Sequence, residues 1–213
     1  MATSGEMVAR VAELFGANVV TVESIDRALS NAGLRRKGGR GRSAAKMTGS
    51  DVANLTLAMI LDVGMREASV AVGKVSLMPK SSAVVQFRPD VEEMKSAFEL
   101  QVDQYKEFTA TTENLDAFPA GAALAEAPNL GEGLAAVIDR MASGEFDYIG
   151  DMSLNMQMIS LGPSATIAYS IRAGTLRVRY EAVGDEQERP VFERRLKLDE
   201  GLLWRLADII KPA

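Results

Sequence analysis

The chain has no cysteine and no histidine among its 213 residues. Without cysteine there is no disulfide, no thiolate nucleophile and no thiolate metal site. Without histidine the commonest acid–base catalyst and the commonest metal ligand are both missing. Carboxylates remain as ligands for Mg²⁺ or Ca²⁺, but no EF-hand-like run gathers them. The phosphate-loop, dinucleotide-binding and nucleophile-elbow patterns are absent as well. The expectation is therefore a protein that is not an enzyme, with no catalytic residue, no metal site and no cofactor. Long apolar runs are missing too. A membrane span needs roughly 18 apolar residues, and Asp51, Asp62 and Arg66 interrupt the best candidate. The opening MATSGEMVAR has neither the positive region nor the apolar stretch of a signal peptide. No membrane partner is expected, and the expected location is cytoplasmic.

What is present looks globular: 47% hydrophobic and 25% charged residues, in a chain long enough for one domain or two. The formal net charge of −5 hides a division. Residues 1–50 hold eight Lys or Arg against four Asp or Glu, net +4, while the rest carry sixteen against twenty-five, net −9. A basic module beside an acidic body is the electrostatic footprint of phosphate binding, with the body discouraging non-specific contact.

The first part of that module, MVARVAELFGANVVTVESIDRALSNAGL (7–34), carries two apolar sets at helical spacing. Val8, Val11, Ala12 and Phe15 describe a first helix, and Gly16 follows where a turn needs positive φ or close approach. Val19, Val22, Ile25, Ala28 and Leu29 describe a second, with Thr21 as its expected N-cap and Asn31-Ala-Gly33 as its end. Small Ala12 lies four residues before Gly16, ten before Val22 and thirteen before Ile25. That spacing resembles the helix-turn-helix family, in which a small residue lets the second helix cross the first, a glycine makes the turn and branched residues anchor the recognition helix.

Residues 35–46, RRKGGRGRSAAK, follow with six basic residues, three glycines and no acid. Glycine this dense opposes a helix and the arginines repel one another, so a flexible basic arm is expected. Such an arm suits phosphate contacts or insertion of arginine into a narrow minor groove. Gly39-Arg-Gly-Arg42 resembles the Gly-Arg core of minor-groove AT-hooks, without their flanking prolines.

The resemblance implies double-stranded DNA as partner and suggests residue roles. On the second helix the side chains away from the apolar stripe are Thr21, Glu23, Ser24, Asp26, Arg27, Ser30 and Asn31. Arg27 and Asn31, four residues apart, share a face from which guanine or adenine edges are reached. Thr21 and Ser24 are expected to contact a base or a phosphate. Arg35, Arg36, Lys37, Arg40, Arg42 and Lys46 are expected to contribute most of the affinity. Glu23 and Asp26 are misplaced near phosphate, unless Glu23 accepts from cytosine or sits at the positive helix end.

The remainder predicts an α+β protein: an N-terminal helix-turn-helix domain, middle helices, and a C-terminal antiparallel β meander closed by a helix. Met47-Thr-Gly-Ser50 caps a third helix that continues, weakened at Gly64 and Gly73, until Pro79. Val91, Met94, Phe98, Val102, Tyr105 and Phe108 form one stripe, which predicts a helix over 90–115. Pro119 to Gly133, rich in Ala, Gly and Pro, is the expected linker. From Asp151 the period becomes two: Met152, Leu154, Met156 and Met158, then Ile167, Tyr169 and Ile171, then Leu176, Val178 and Tyr180 predict three strands, with a fourth near 192–198. A last helix capped by Asp199 buries Leu202, Leu203, Leu206, Ile209 and Ile210. The expected division is 1–64 for DNA binding with the arm at 35–46, 65–118 for helical oligomerisation, and 134–213 for the β-rich domain.

Three classes of function fit this layout. The first is an oligomeric transcriptional regulator of phage or prophage type, acting in a bacterial cell or a phage-infected host. The second is a small terminase subunit of tailed phages, which the order of helix-turn-helix, helical segments and C-terminal β region resembles, and which implies a ring of subunits presenting viral DNA for packaging. The third is a non-enzymatic structural or interaction protein whose basic arm docks on a partner. A homo-oligomer is expected in the first two.

Overall fold

The computed structural model describes residues 2–37, 45–87, 107–109, 115, 118–146, 150–159, 163–171, 174–182 and 193–211. In order, they form α1 (Ser4–Phe15), α2 (Val19–Asn31), α3 (Gly49–Leu61), α4 (Met65–Ser76), β1 (Lys80–Phe87), β2 (Glu107–Thr109), α5 (Gly121–Glu126), α6 (Leu130–Ala142), β3 (Gly150–Ile159), β4 (Ser164–Ile171), β5 (Gly174–Glu181), β6 (Glu193–Asp199) and α7 (Glu200–Ile210). The class is α+β.

The N-terminal helix pair begins and ends on local signals. Thr3 and Glu6 form a capping box at α1, with Glu6 Oε2 accepting from the Thr3 amide at 2.7 Å. Gly16, at φ 60°, stops α1 in the left-handed region that glycine enters without strain. The cap of α2 is Asn18 rather than Thr21: its Oδ1 accepts from the Val20 amide at 2.9 Å, so the helix starts a turn earlier than expected. Asn is as strong a cap as any residue, and the signal at 18 precedes the one at 21. The long third helix is two helices. Asp62 adopts φ 51° after α3 and Gly64 caps α4, because a short polar side chain tolerates the left-handed turn and the chain then restarts.

One antiparallel sheet runs in the order β2-β1-β5-β4-β3-β6. The hairpins β3-β4-β5 match expectation, but β6 returns to pair with β3 (Leu154 opposite Leu198) instead of extending the meander beyond β5. Three hairpin strands with the fourth beside the first are Greek-key order. The place beyond β5 is taken by β1, with Ala83 opposite Val178 and Val85 opposite Leu176. So the described part of the segment expected to be helical holds α4 followed by two strands. Phe108, expected on a helical stripe, lies in β2 opposite Val85; Val91, Met94, Phe98, Val102 and Tyr105 lie outside the described residues.

The expected linker is packed interior. Gly121, Leu124, Ala125 and Leu130 are buried in α5 and α6. A methyl on Gly121 would sit 2.9 Å from Phe118 Cβ, and one on Gly133 would collide with the Tyr180 hydroxyl. The small residues there serve close approach of helix to sheet, not flexibility. Alternate side chains of the sheet (Val85, Ala165, Ile167, Tyr169, Leu176, Val178, Tyr180 and Leu198) face the helices, while Arg177, Arg179 and Lys197 are exposed on the other face. Phe118 and Phe146 meet the Tyr169 ring edge-on, at centroid distances of 6.2 and 5.4 Å. Met7, Val22, Leu55, Ile138, Val178 and Leu206 all belong to one buried cluster, and Arg10 donates to the Asp208 carbonyl at 3.0 Å. The helix pair is thus seated on the body of the protein, with no break in the core at the expected boundaries among the described residues.

Candidate nucleic-acid interface

On α2 the buried side is Val22, Ile25, Asp26, Leu29 and Ser30. At 100° per residue the opposite side is Val20, Ser24, Arg27 and Asn31. Arg27 and Asn31 are exposed on that outward stripe, and Thr21 is exposed on its flank. Ser24 is half-buried and its hydroxyl donates to the Val20 carbonyl at 2.8 Å, so its proton is engaged within the helix. Ala12 is 1% exposed, as a small residue at a helix crossing must be.

Two residues expected to face outward do not. Asp26 is 5% exposed and Ser30 is 8%. Asp26 accepts from the Ser4 hydroxyl at 3.3 Å and lies 2.5 Å from Arg35 Nε, both side chains of the ion pair being more than nine-tenths buried. Burial pushes the Asp26 carboxyl above the ordinary aspartate range, and the charge of Arg35 opposes that shift without cancelling it. The pair corrects two expectations together. Arg35 is a structural tie with a buried side chain, and one of the two acidic groups expected on the outward side of α2 is withdrawn from it. Glu23 remains exposed.

Beyond α2 the chain is fixed by a residue that carried no sequence-level assignment. Asp51, 2% exposed in the first turn of α3, accepts from the Arg36 amide at 2.8 Å through one oxygen. Through the other it accepts from the Thr48 amide and hydroxyl, each at 2.9 Å. Asn54 adds a 2.6 Å bond to the Leu34 carbonyl, and the Met47 amide donates to the Ala2 carbonyl at 3.1 Å. One carboxylate therefore joins the departing and returning stems of the basic segment, side by side. The Thr-x-x-Asp pattern at 48–51 is the signal from which Asp51 was legible as a helix cap; its bond to Arg36 was not. Arg36, Lys37 and Lys46 are exposed on these stems, while Arg40 and Arg42 lie outside the described residues. The α3 N-terminus itself is seated on α6: the Gly49 amide donates to Asp139 Oδ1 at 2.8 Å, and a methyl on Gly49 would lie 2.6 Å from the Ala135 carbonyl oxygen.

The arrangement brings Arg27 and Asn31 on one helix stripe next in sequence to exposed Arg36 and Lys37, with Lys46 across the clamp. On the outer sheet face, Arg179 is paired with Glu181 at 2.5 Å, so that cation is engaged by its own strand. No helix among the described residues is long and apolar enough to cross a membrane. Comparison with protein-family models, with curated proteins and with solved structures finds no match to this chain.

Proposed function

We propose that this chain binds double-stranded DNA through the outward stripe of α2 and the basic segment that follows it, as a non-enzymatic transcriptional regulator of the cytoplasm. The observation that carries the reading is the Asp51 clamp. A run of six basic residues is tied at both stems, at Arg36 and at Thr48, directly after a helix whose exposed stripe holds Arg27 and Asn31. Stems that are already fixed lower the entropy lost when their cations engage phosphates. Arg27 and Asn31 have the donor and acceptor groups that read guanine and adenine edges in the major groove. Withdrawal of Asp26 into the ion pair with Arg35 favours the same surface.

The test is equilibrium binding of the full chain to duplex DNA across a salt series. About five neutralised phosphates give a slope near −4 or −5 in log K against log salt, at roughly −0.9 per phosphate. Arg40→Ala with Arg42→Ala should shallow the slope by about 2. Arg27→Ala should instead reduce the preference for a selected site over a scrambled one, by about 1–3 kcal/mol. Binding that is absent, or indifferent to salt, removes the reading.

A further inference from the structure

Val20 opens the outward stripe of α2 and is 67% exposed, with Val19 beside it at 46%. A valine in this place gains little from burial and propagates a helix less well than alanine. One turn on, the Ser24 hydroxyl donates to the Val20 carbonyl at 2.8 Å, so its proton is spent within the helix. Glu23, exposed and three residues after Val20, is its neighbour on the helix surface, at about 5–6 Å between Cβ atoms. Glu23 also precedes Arg27 by four residues, the spacing of surface ion pairs. Neither side chain has an ion-pair or hydrogen-bond partner among the described residues. The first turn of the stripe therefore presents two methyl groups and an acceptor-only carboxylate, side by side and unpartnered.

The chemistry of the pair says what fits it. Phosphate repels a carboxylate, so on a DNA-facing helix Glu23 has to meet a donor on the base edges. In the major groove the donors are the adenine N6 and cytosine N4 amino groups. Val20 chooses between them. A cytosine–guanine pair has no methyl on its major-groove edge, whereas a thymine–adenine pair carries the thymine C5-methyl alongside the adenine amino group. We infer that Val20 and Glu23 together form a subsite for one thymine–adenine pair, Val20 covering the thymine methyl and Glu23 accepting from the adenine amino group. Arg27 follows Val20 by seven residues, about 10 Å along the helix, and so reads about three base pairs away. The assignment rests on the DNA-binding reading above and adds to it the base pair read at the start of α2.

Duplexes that the full chain selects from a random pool supply the probe. Each thymine is replaced in turn by deoxyuridine, which lacks only the methyl. One replacement, about three base pairs from the position whose preference Arg27→Ala relaxes, should weaken wild-type binding about three- to fivefold, the share of one methyl group. Val20→Ala should bind the thymine and uracil duplexes alike. Replacing the paired adenine by purine, which lacks the amino group, should weaken the wild type about tenfold and leave Glu23→Ala indifferent. Each readout is a ratio between two duplexes on one protein, so a variant of altered stability still reports. Wild-type indifference to either replacement, a methyl effect that survives Val20→Ala, an amino effect that survives Glu23→Ala, or the two effects at different base pairs overturns the subsite. In each of these cases salt-dependent binding leaves the proposed function standing, whereas a chain that selects no duplex removes both.

Discussion

Asp51 and Arg36 are fifteen positions apart, and the Asp51 carboxylate accepts the Arg36 backbone amide at 2.8 Å while its second oxygen holds Thr48. A buried carboxylate with three donors is at once a helix cap for α3 and a tie across the base of the basic segment. Replacing Asp51 with Ala strands the two backbone amides, at about 1–3 kcal/mol each. Chemical denaturation should show that loss with an unchanged denaturant slope. DNA affinity should fall as well, with the salt slope retained, because the cations remain and only their ordering is lost.

Neighbouring Arg35 and Arg36 should behave as different residues. Arg35→Ala leaves Asp26 buried without its cation, a change worth about 3–5 kcal/mol of stability. Arg36 is exposed and is tied to the fold through its backbone, its amide donating to Asp51 and its carbonyl accepting from Arg35 Nη1 at 2.6 Å, so Arg36→Ala should leave melting within about 0.5 kcal/mol of wild type. Its effect should fall on DNA affinity at low salt. Equal melting of the two variants would contradict the buried ion pair.

The same pair sets a pH dependence. Burial raises the Asp26 carboxyl above its ordinary 3.8, so between the unfolded and folded values the native state binds more protons than the unfolded chain. Stability from this group is then highest below the unfolded value and falls as pH rises through the folded one, levelling off above it. The comparison with Asp26→Asn isolates that contribution. The difference in unfolding free energy, wild type minus variant, should decline as pH is raised from about 4 and become flat above the folded value. A difference that grows with pH would mean the attraction of Arg35 outweighs the burial.

Ala12 is buried in α1, which packs against α2, and Ala12→Leu places three extra carbons in that interior. Overpacking of this kind costs about 1–3 kcal/mol. Melting temperature and DNA affinity should fall together, since displacing α2 displaces Arg27 and Asn31. Unchanged melting would mean the helices do not cross at Ala12.

Much of this architecture was legible in the chain itself, because its signals span only a few residues. Gly16 and Gly33 end the first two helices through a backbone angle that glycine alone enters freely. Alternation through Ile167, Tyr169, Leu176, Val178 and Tyr180 sets two strands and their buried face. The cluster of cations at 35–46 needs no fold to be recognised. Tertiary structure decided what depends on residues far apart. Whether β6 or β1 sits beside β5 is a choice between strands with compatible periods, and it is made by pairing between residues some ninety positions apart, such as Ala83 and Val178. Pro119 to Gly133 has the composition of a linker, and only the nearness of Phe118 and Tyr180 turns its small residues into packing. Asp26 and Arg35 look like any exposed charges on a basic module. They are buried because each supplies the counter-charge that makes the other's burial tolerable, and neither position in the sequence announces its partner.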